Sequence, residues 1–111
     1  MKTYTGGCHC GKVRYEVTTD PAKPIASNLL GLWLIFVEPD QFKLLSAESE
    51  LTEYRFDKHV IHHVFCRTCG VESFAHGIGS DKQEMYAINV RCLDGVDIST
   101  LNAKPLDGRS L

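Results

Sequence analysis

Hydrophobic and β-branched residues fall in short runs along this chain, broken by Gly, Pro or Asp at intervals of roughly 8–12 residues, the punctuation of an all-β domain. Residues 12–17 alternate, with Val13, Tyr15 and Val17 on one face and Lys12, Arg14 and Glu16 on the other, which predicts a half-buried strand. Residues 18–28 carry Pro21 and Pro24 with little apolar content and read as a loop into the longest apolar stretch, residues 29–37, a buried strand. Two more strands are predicted over residues 42–45 and 51–56, across an acidic link at 47–50. Asp57 and Lys58 turn the chain into a strand over 59–65 that runs straight into Cys66. Strand-like residues follow over 71–76, then a Gly-rich loop, then 85–92 with Tyr86, Ile88 and Val90 on one face. The tail from Lys104 onward reads as irregular. Gly77-Ile78-Gly79 lacks the third glycine, lysine and helix of a phosphate loop and reads as a turn.

Length adds one constraint: 111 residues with 43% hydrophobic and 23% charged side chains suit a single domain over residues 1–111. A net charge of -2, with no run of like charge longer than two, lacks the footprint of a nucleic-acid binder. The apolar stretch 29–37 falls short of the ~20 residues that span a bilayer, so no membrane partner is expected. The first residues contain no apolar segment of a secretory signal, which makes the reducing cytoplasm the expected compartment.

In that setting five cysteines, odd in number and mostly in close pairs, favour metal ligation over disulfides. Cys66-x-x-Cys69-Gly70 is the strongest signal: two thiolates at this spacing bind one tetrahedral ion from a tight turn, and the glycine relieves the strain of positive φ. Cys8-His9-Cys10-Gly11 offers a second such turn, although its one-residue spacing lies outside the usual range. Together they can supply four thiolates to one zinc. Closing the chain between Cys10 and Cys66 costs roughly 3–4 kcal/mol, against about 10–16 kcal/mol from a structural zinc. A redox pair at Cys66 and Cys69, or buried unligated thiols, are the rival readings; no βαβ pattern supports the first. Cys92 reads as a small buried hydrophobe on its strand. Alternation puts His62 on the Cys66 face and His63 on the opposite one, so the neighbouring histidines read as separate polar groups and not as a second metal site.

Gly7-Cys8-His9-Cys10-Gly11 with residues 13–17, Leu51-Thr52-Glu53-Tyr54-Arg55-Phe56, Phe65-Cys66-Arg67-Thr68-Cys69-Gly70-Val71 and the segment 86–97 together resemble the glutathione-dependent formaldehyde-activating enzymes. That family also contains centromere protein V, and the resemblance covers nearly the whole chain. It implies an Mss4-like fold of packed antiparallel sheets, a structural zinc on Cys8, Cys10, Cys66 and Cys69, and carbon–sulfur lyase chemistry joining formaldehyde to glutathione. His63 falls on a histidine common just before the second cysteine turn. The family's further Cys-x-Cys-Ser-x-Cys, which holds a catalytic zinc, is absent: its cysteine positions fall on Ala22, Pro24 and Ser27, and the basic positions after them on Asn28, Leu29 and Leu30.

Three functions follow as expectations. The chain is a lyase on thiol adducts, with glutathione or another small thiol as partner; or a binding module whose second site is degenerate, with Ser27, Asn28 and His63 as its candidate pocket; or an interaction protein that buries residues 29–37, Trp33 among them, against another chain. A homo-oligomer is compatible with all three.

Overall fold

The computed structural model describes residues 1–22, 24–27, 32–56, 61–78 and 83–106. Ten strands are present among them: β1 (Lys2–Gly7), β2 (Arg14–Thr19), β3 (Ile25–Ser27), β4 (Trp33–Val37), β5 (Phe42–Leu44), β6 (Leu51–Phe56), β7 (Ile61–Cys66), β8 (Phe74–Ile78), β9 (Glu84–Asn89) and β10 (Lys104–Leu106). The described residues contain no α-helix, only short 3-10 turns, and no helix long and apolar enough to cross a membrane. The fold is all-β, as the punctuation of the sequence predicts.

Two sheets form. The first has the order β1-β2-β5 and the second β10-β3-β4-β9-β8-β7-β6. Every named pairing is antiparallel except that of β10 with β3. The alternation read in residues 12–17 is the reason the sheets pack: Val13, Tyr15 and Val17 are fully buried, while Arg14 and Glu16 face outward. Register places Leu44 opposite Tyr15 and Phe42 opposite Val17, so β5 presents its apolar side chains to the same interior. The second sheet answers with Val64, Phe74, Ile88 and Ile35, aligned across β7, β8, β9 and β4. Tyr15 contacts Phe42 and Phe74 with ring centroids at 5.3 and 5.8 Å, and its hydroxyl donates to the Ser73 carbonyl at 2.9 Å, tying one sheet to the other.

Several boundaries differ from the sequence reading. Residues 18–28 are not one loop, because Ile25–Ser27 pairs with β4. The tail is not irregular at its start either: Lys104–Leu106 lies parallel to β3. Lys2–Gly7 is a strand, paired along its whole length with β2. The strand expected over 85–92 ends at Asn89, whose side chain accepts the Arg91 N–H at 3.1 Å and starts a 3-10 turn over Val90–Cys92. Cys92 therefore lies in a turn and not on a strand. The strand expected over 71–76 is Phe74–Ile78, because Glu72 and Ser73 are committed to the contacts of His63 and Tyr15. Residues 29–31 of the apolar stretch and 59–60 of the strand expected over 59–65 lie outside the described residues. Of the remainder, Leu32, Leu34 and Val37 are buried in the chain's own structure, and Trp33 packs on the main core beneath the Arg91 guanidinium at 4.7 Å. Those residues are thus consumed internally, while Phe36 of the same stretch is exposed.

Candidate metal centre

Each cysteine turn grows from the end of a strand in a different sheet. Cys8 and Cys10 follow β1, while Cys66 closes β7 and Cys69 follows it. In the first turn the Cys8 N–H donates to the Val13 carbonyl at 3.1 Å, and the Gly11 N–H donates to the Cys8 carbonyl at 3.3 Å. In the second, the Cys66 N–H donates to the Val71 carbonyl at 3.0 Å and the Gly70 N–H to the Cys66 carbonyl at 2.8 Å. Both turns therefore close over the same span, cysteine to a valine five positions on, although one carries Cys-x-Cys and the other Cys-x-x-Cys. Gly11 and Gly70 both take positive φ, +83° and +80°, where a side chain would be strained. The shared closing span explains why the one-residue spacing is no obstacle to ligation.

The four sulfur atoms lie within 4.8 Å of one another. Cys10 Sγ is 3.6 Å from Cys8 Sγ and 3.6 Å from Cys66 Sγ. Tetrahedral bonds of ~2.3 Å require sulfur separations of about 3.8 Å, so the cluster has the size of an MS4 site. Backbone donors supply what thiolates need: the Val13 N–H points at Cys8 Sγ at 3.3 Å and the Thr68 N–H at Cys66 Sγ at 3.4 Å. The backbone N–H groups of Val71 and Cys10 bring the Cys69 thiol down to about 6. Cys66 is lowered as well, whereas at Cys10 the Lys12 N–H is outweighed by burial and the neighbouring thiols, which push it up to about 11; four clustered sulfurs are a donor set for a soft or borderline cation. Cys92 stands apart, half-buried, its thiol pushed up to about 11 by burial and by the charges of Cys8 and Cys69.

The surroundings lock the turns in place. Gly6 lies so close to the Cys92 carbonyl that an added Cβ would sit 2.7 Å from it, and Gly6 bridges to Leu93. Asp94 accepts the Thr5 hydroxyl at 2.8 Å and pairs with Arg14, which holds its carboxyl below the usual range. Arg67 reaches back to the 48–50 turn, its backbone N–H on the Glu50 carbonyl at 2.9 Å.

The other expected site residues are more scattered. His63 is buried on the outer face of the second sheet, its Nδ1 2.8 Å from Glu72 Oε2. The Asn89 amide donates to the Glu72 carbonyl at 3.0 Å. Glu72 had no sequence signal, since it looked like one polar residue in a strand. His62, as alternation predicts, lies on the inner face with Val64 and Cys66. Ser27 ends β3, which is separated from His63 on β7 by β4, β9 and β8; four strand spacings amount to about 19 Å. The topology does not put these two positions side by side, and Asn28 lies outside the described residues. Ala22 and Pro24 are held by the C-terminal part of the chain, their carbonyls accepting the N–H groups of Asn102 at 3.4 Å and Lys104 at 2.9 Å.

A solved structure of a Rhodobacter sphaeroides protein matches this fold with a TM-score of 0.74 and 29% sequence identity, covering 91% of this chain and 97% of that one. The family model of the glutathione-dependent formaldehyde-activating enzyme matches residues 3–105. With the match extending from β1 into β10 and taking in both cysteine turns, the chain belongs to the glutathione-dependent formaldehyde-activating enzyme family.

Proposed function

We propose that this chain is a zinc-binding member of its family in which the second, catalytic zinc is lost, so that it condenses formaldehyde with glutathione weakly or not at all. The observation that carries this reading is a count of thiols. The sequence has five cysteines, and four of them form the cluster at Cys8, Cys10, Cys66 and Cys69, which leaves Cys92 alone. A catalytic zinc needs about three protein ligands and an open position. The positions where the family resemblance expects them are Ala22, Pro24 and Ser27, and Pro24 is fully buried against the chain's own C-terminal strand.

Zinc in the four-sulfur cluster is structural in this reading: four protein ligands close its coordination sphere and leave no place for substrate. Without a second metal, a glutathione thiol stays mostly protonated near its ordinary pKa of ~8.5. The chain's own candidate for taking that proton is His63, oriented by Glu72, and a positioned base contributes about 10²- to 10⁴-fold. The whole chain acts as one domain in the reducing cytoplasm, with glutathione or another small thiol as ligand.

The test is the rate of adduct formation from formaldehyde and glutathione at neutral pH, with and without protein, repeated after cysteines are restored at positions 22, 24 and 27. Activity only in the restored chain supports the lost-site reading. A robust rate in the natural chain that disappears in His63→Ala replaces it with metal-free general-base catalysis. A thiol-binding module without chemistry is the second reading, favoured by the intact cluster and fold; saturable glutathione binding without turnover identifies it.

A further inference from the structure

The three-stranded sheet is too narrow to cover the seven-stranded one, and beyond β5 the inner face opens into a groove of about 510 Å³. That volume lies in the range of small-molecule sites. Its floor is a row of three rings set by strand register, since His62 pairs with His76 across β7 and β8, and His76 with Tyr86 across β8 and β9. Ring centroids are 5.2 Å apart for His62 and His76 and 4.8 Å for His76 and Tyr86. Phe42 stacks on Tyr86 at 4.3 Å and 13°, which makes the β5 side of the groove aromatic.

The described lining of this groove contains two carboxylates, Glu48 and Glu53, and Glu84 stands next to His76 outside that lining. Each imidazole already has a carboxylate beside it: His62 Nδ1 is 3.5 Å from Glu53 Oε1, and His76 Nε2 is 2.6 Å from Glu84 Oε1. Glu48 adds a third carboxylate at the rim, and the described lining contains neither lysine nor arginine. The Tyr86 hydroxyl registers this field, being raised first by burial and then by the charges of Glu84 and Glu48. These groups do not converge on a point as metal ligands would: among the described residues, only the four cysteines bring three or more such ligand atoms within 4.8 Å of one another.

We infer that this groove binds a small organic cation, a protonated amine or quaternary ammonium with an apolar body, its charge facing the glutamates and its body against the aromatic wall. Aromatic faces attract cations through their quadrupole, and neighbouring carboxylates add to that attraction. The site is distinct from β3, which lies toward the other edge of the sheet, and from His63, which is on the opposite face. It holds whether or not the lyase chemistry survives.

The test uses the metal-loaded full chain and three probes of similar shape, 2-phenylethylammonium, neutral 2-phenylethanol and anionic 3-phenylpropanoate, titrated by NMR and calorimetry. The ammonium is expected to bind saturably and to shift the resonances of His62, His76 and Tyr86, with the neutral probe about tenfold weaker and the anion weaker still. Glu53→Gln and Glu84→Gln alter half-exposed side chains, so they leave folding intact, and each is expected to weaken the ammonium about fivefold. Equal affinity for the three probes, preference for the anion, no saturable binding of the ammonium, or affinity unchanged in both glutamine variants overturns the inference.

Discussion

Gly70 and Gly7 serve the cysteine turns in different ways, and substitution separates them. A Cβ on Gly70 would meet nothing within 4 Å, so Gly70→Ala should cost only the strain of a left-handed residue, about 1–2 kcal/mol in a thermal melt, with metal still bound. A Cβ on Gly7 would lie 2.0 Å from the Val13 carbonyl oxygen, the acceptor that closes the first turn. Gly7→Ala should therefore open that turn and lower the metal content of the purified protein. Asp94 shows its contribution through pH. Its carboxyl is depressed by the hydrogen bond from Arg14 and then that from Thr5, so its stabilisation is complete above the ordinary carboxylate value of 3.8 and is lost as pH falls through the lower folded value. Both partners are well exposed, which limits the effect to about 1 kcal/mol or less. Asp94→Asn should remove that share of the acid-induced loss without changing the melt at pH 8 by more than this amount.

At the level of elements, the contrast between Ile88 and Tyr15 tests which interactions hold the sheets together. Ile88 is fully buried near the end of β9, and Ile88→Ala should cost about 2–5 kcal/mol in denaturant unfolding. Tyr15→Phe keeps the tilted and edge-on ring contacts and leaves the Ser73 carbonyl without its donor, for a loss of about 1–3 kcal/mol. The core strands were legible because their own residues state the pattern: Val13, Tyr15 and Val17 alternate, and His62, Val64 and Cys66 share a face. The edge strands were not. Ile25–Ser27 and Lys104–Leu106 contain Pro105 or follow Pro24, carry little alternation, and exist because they pair with each other and Ile25–Ser27 also pairs with β4. Lys2–Gly7 ends in two glycines, and its strand character comes from pairing with β2. For the site, the glycine-backed cysteines announced themselves locally. The His63–Glu72 pair and the ring row of the groove depend on cross-strand register, which one sequence without its pairing partners does not display.

Over the whole molecule, an ion held by the four-cysteine cluster would be the largest single energetic contribution that four side chains can make. A domain of this size is stable by about 5–15 kcal/mol, and a structural zinc contributes on the order of 10–16 kcal/mol at neutral pH. Metal analysis should return one zinc per chain, and a strong chelator or Cys69→Ala should cause loss of the folded circular-dichroism signal; a metal-free chain with an unchanged melt would contradict this.

Because two of the four sulfurs belong to the end of β1 and two to the end of β7, and Cys10 and Cys66 are separated by 56 positions, the order of biosynthesis matters. A growing chain presents Cys8 and Cys10 long before their partners leave the ribosome, and two thiolates do not complete a tetrahedral sphere. Ion capture is thereby deferred until β7 has emerged, when the seven-stranded sheet still lacks β8, β9 and β10. The early pair spends that interval as accessible thiols, open to oxidants, and a ribosome-stalled chain ending before residue 66 should be alkylated readily at Cys8 and Cys10 while the released, metal-loaded protein is protected.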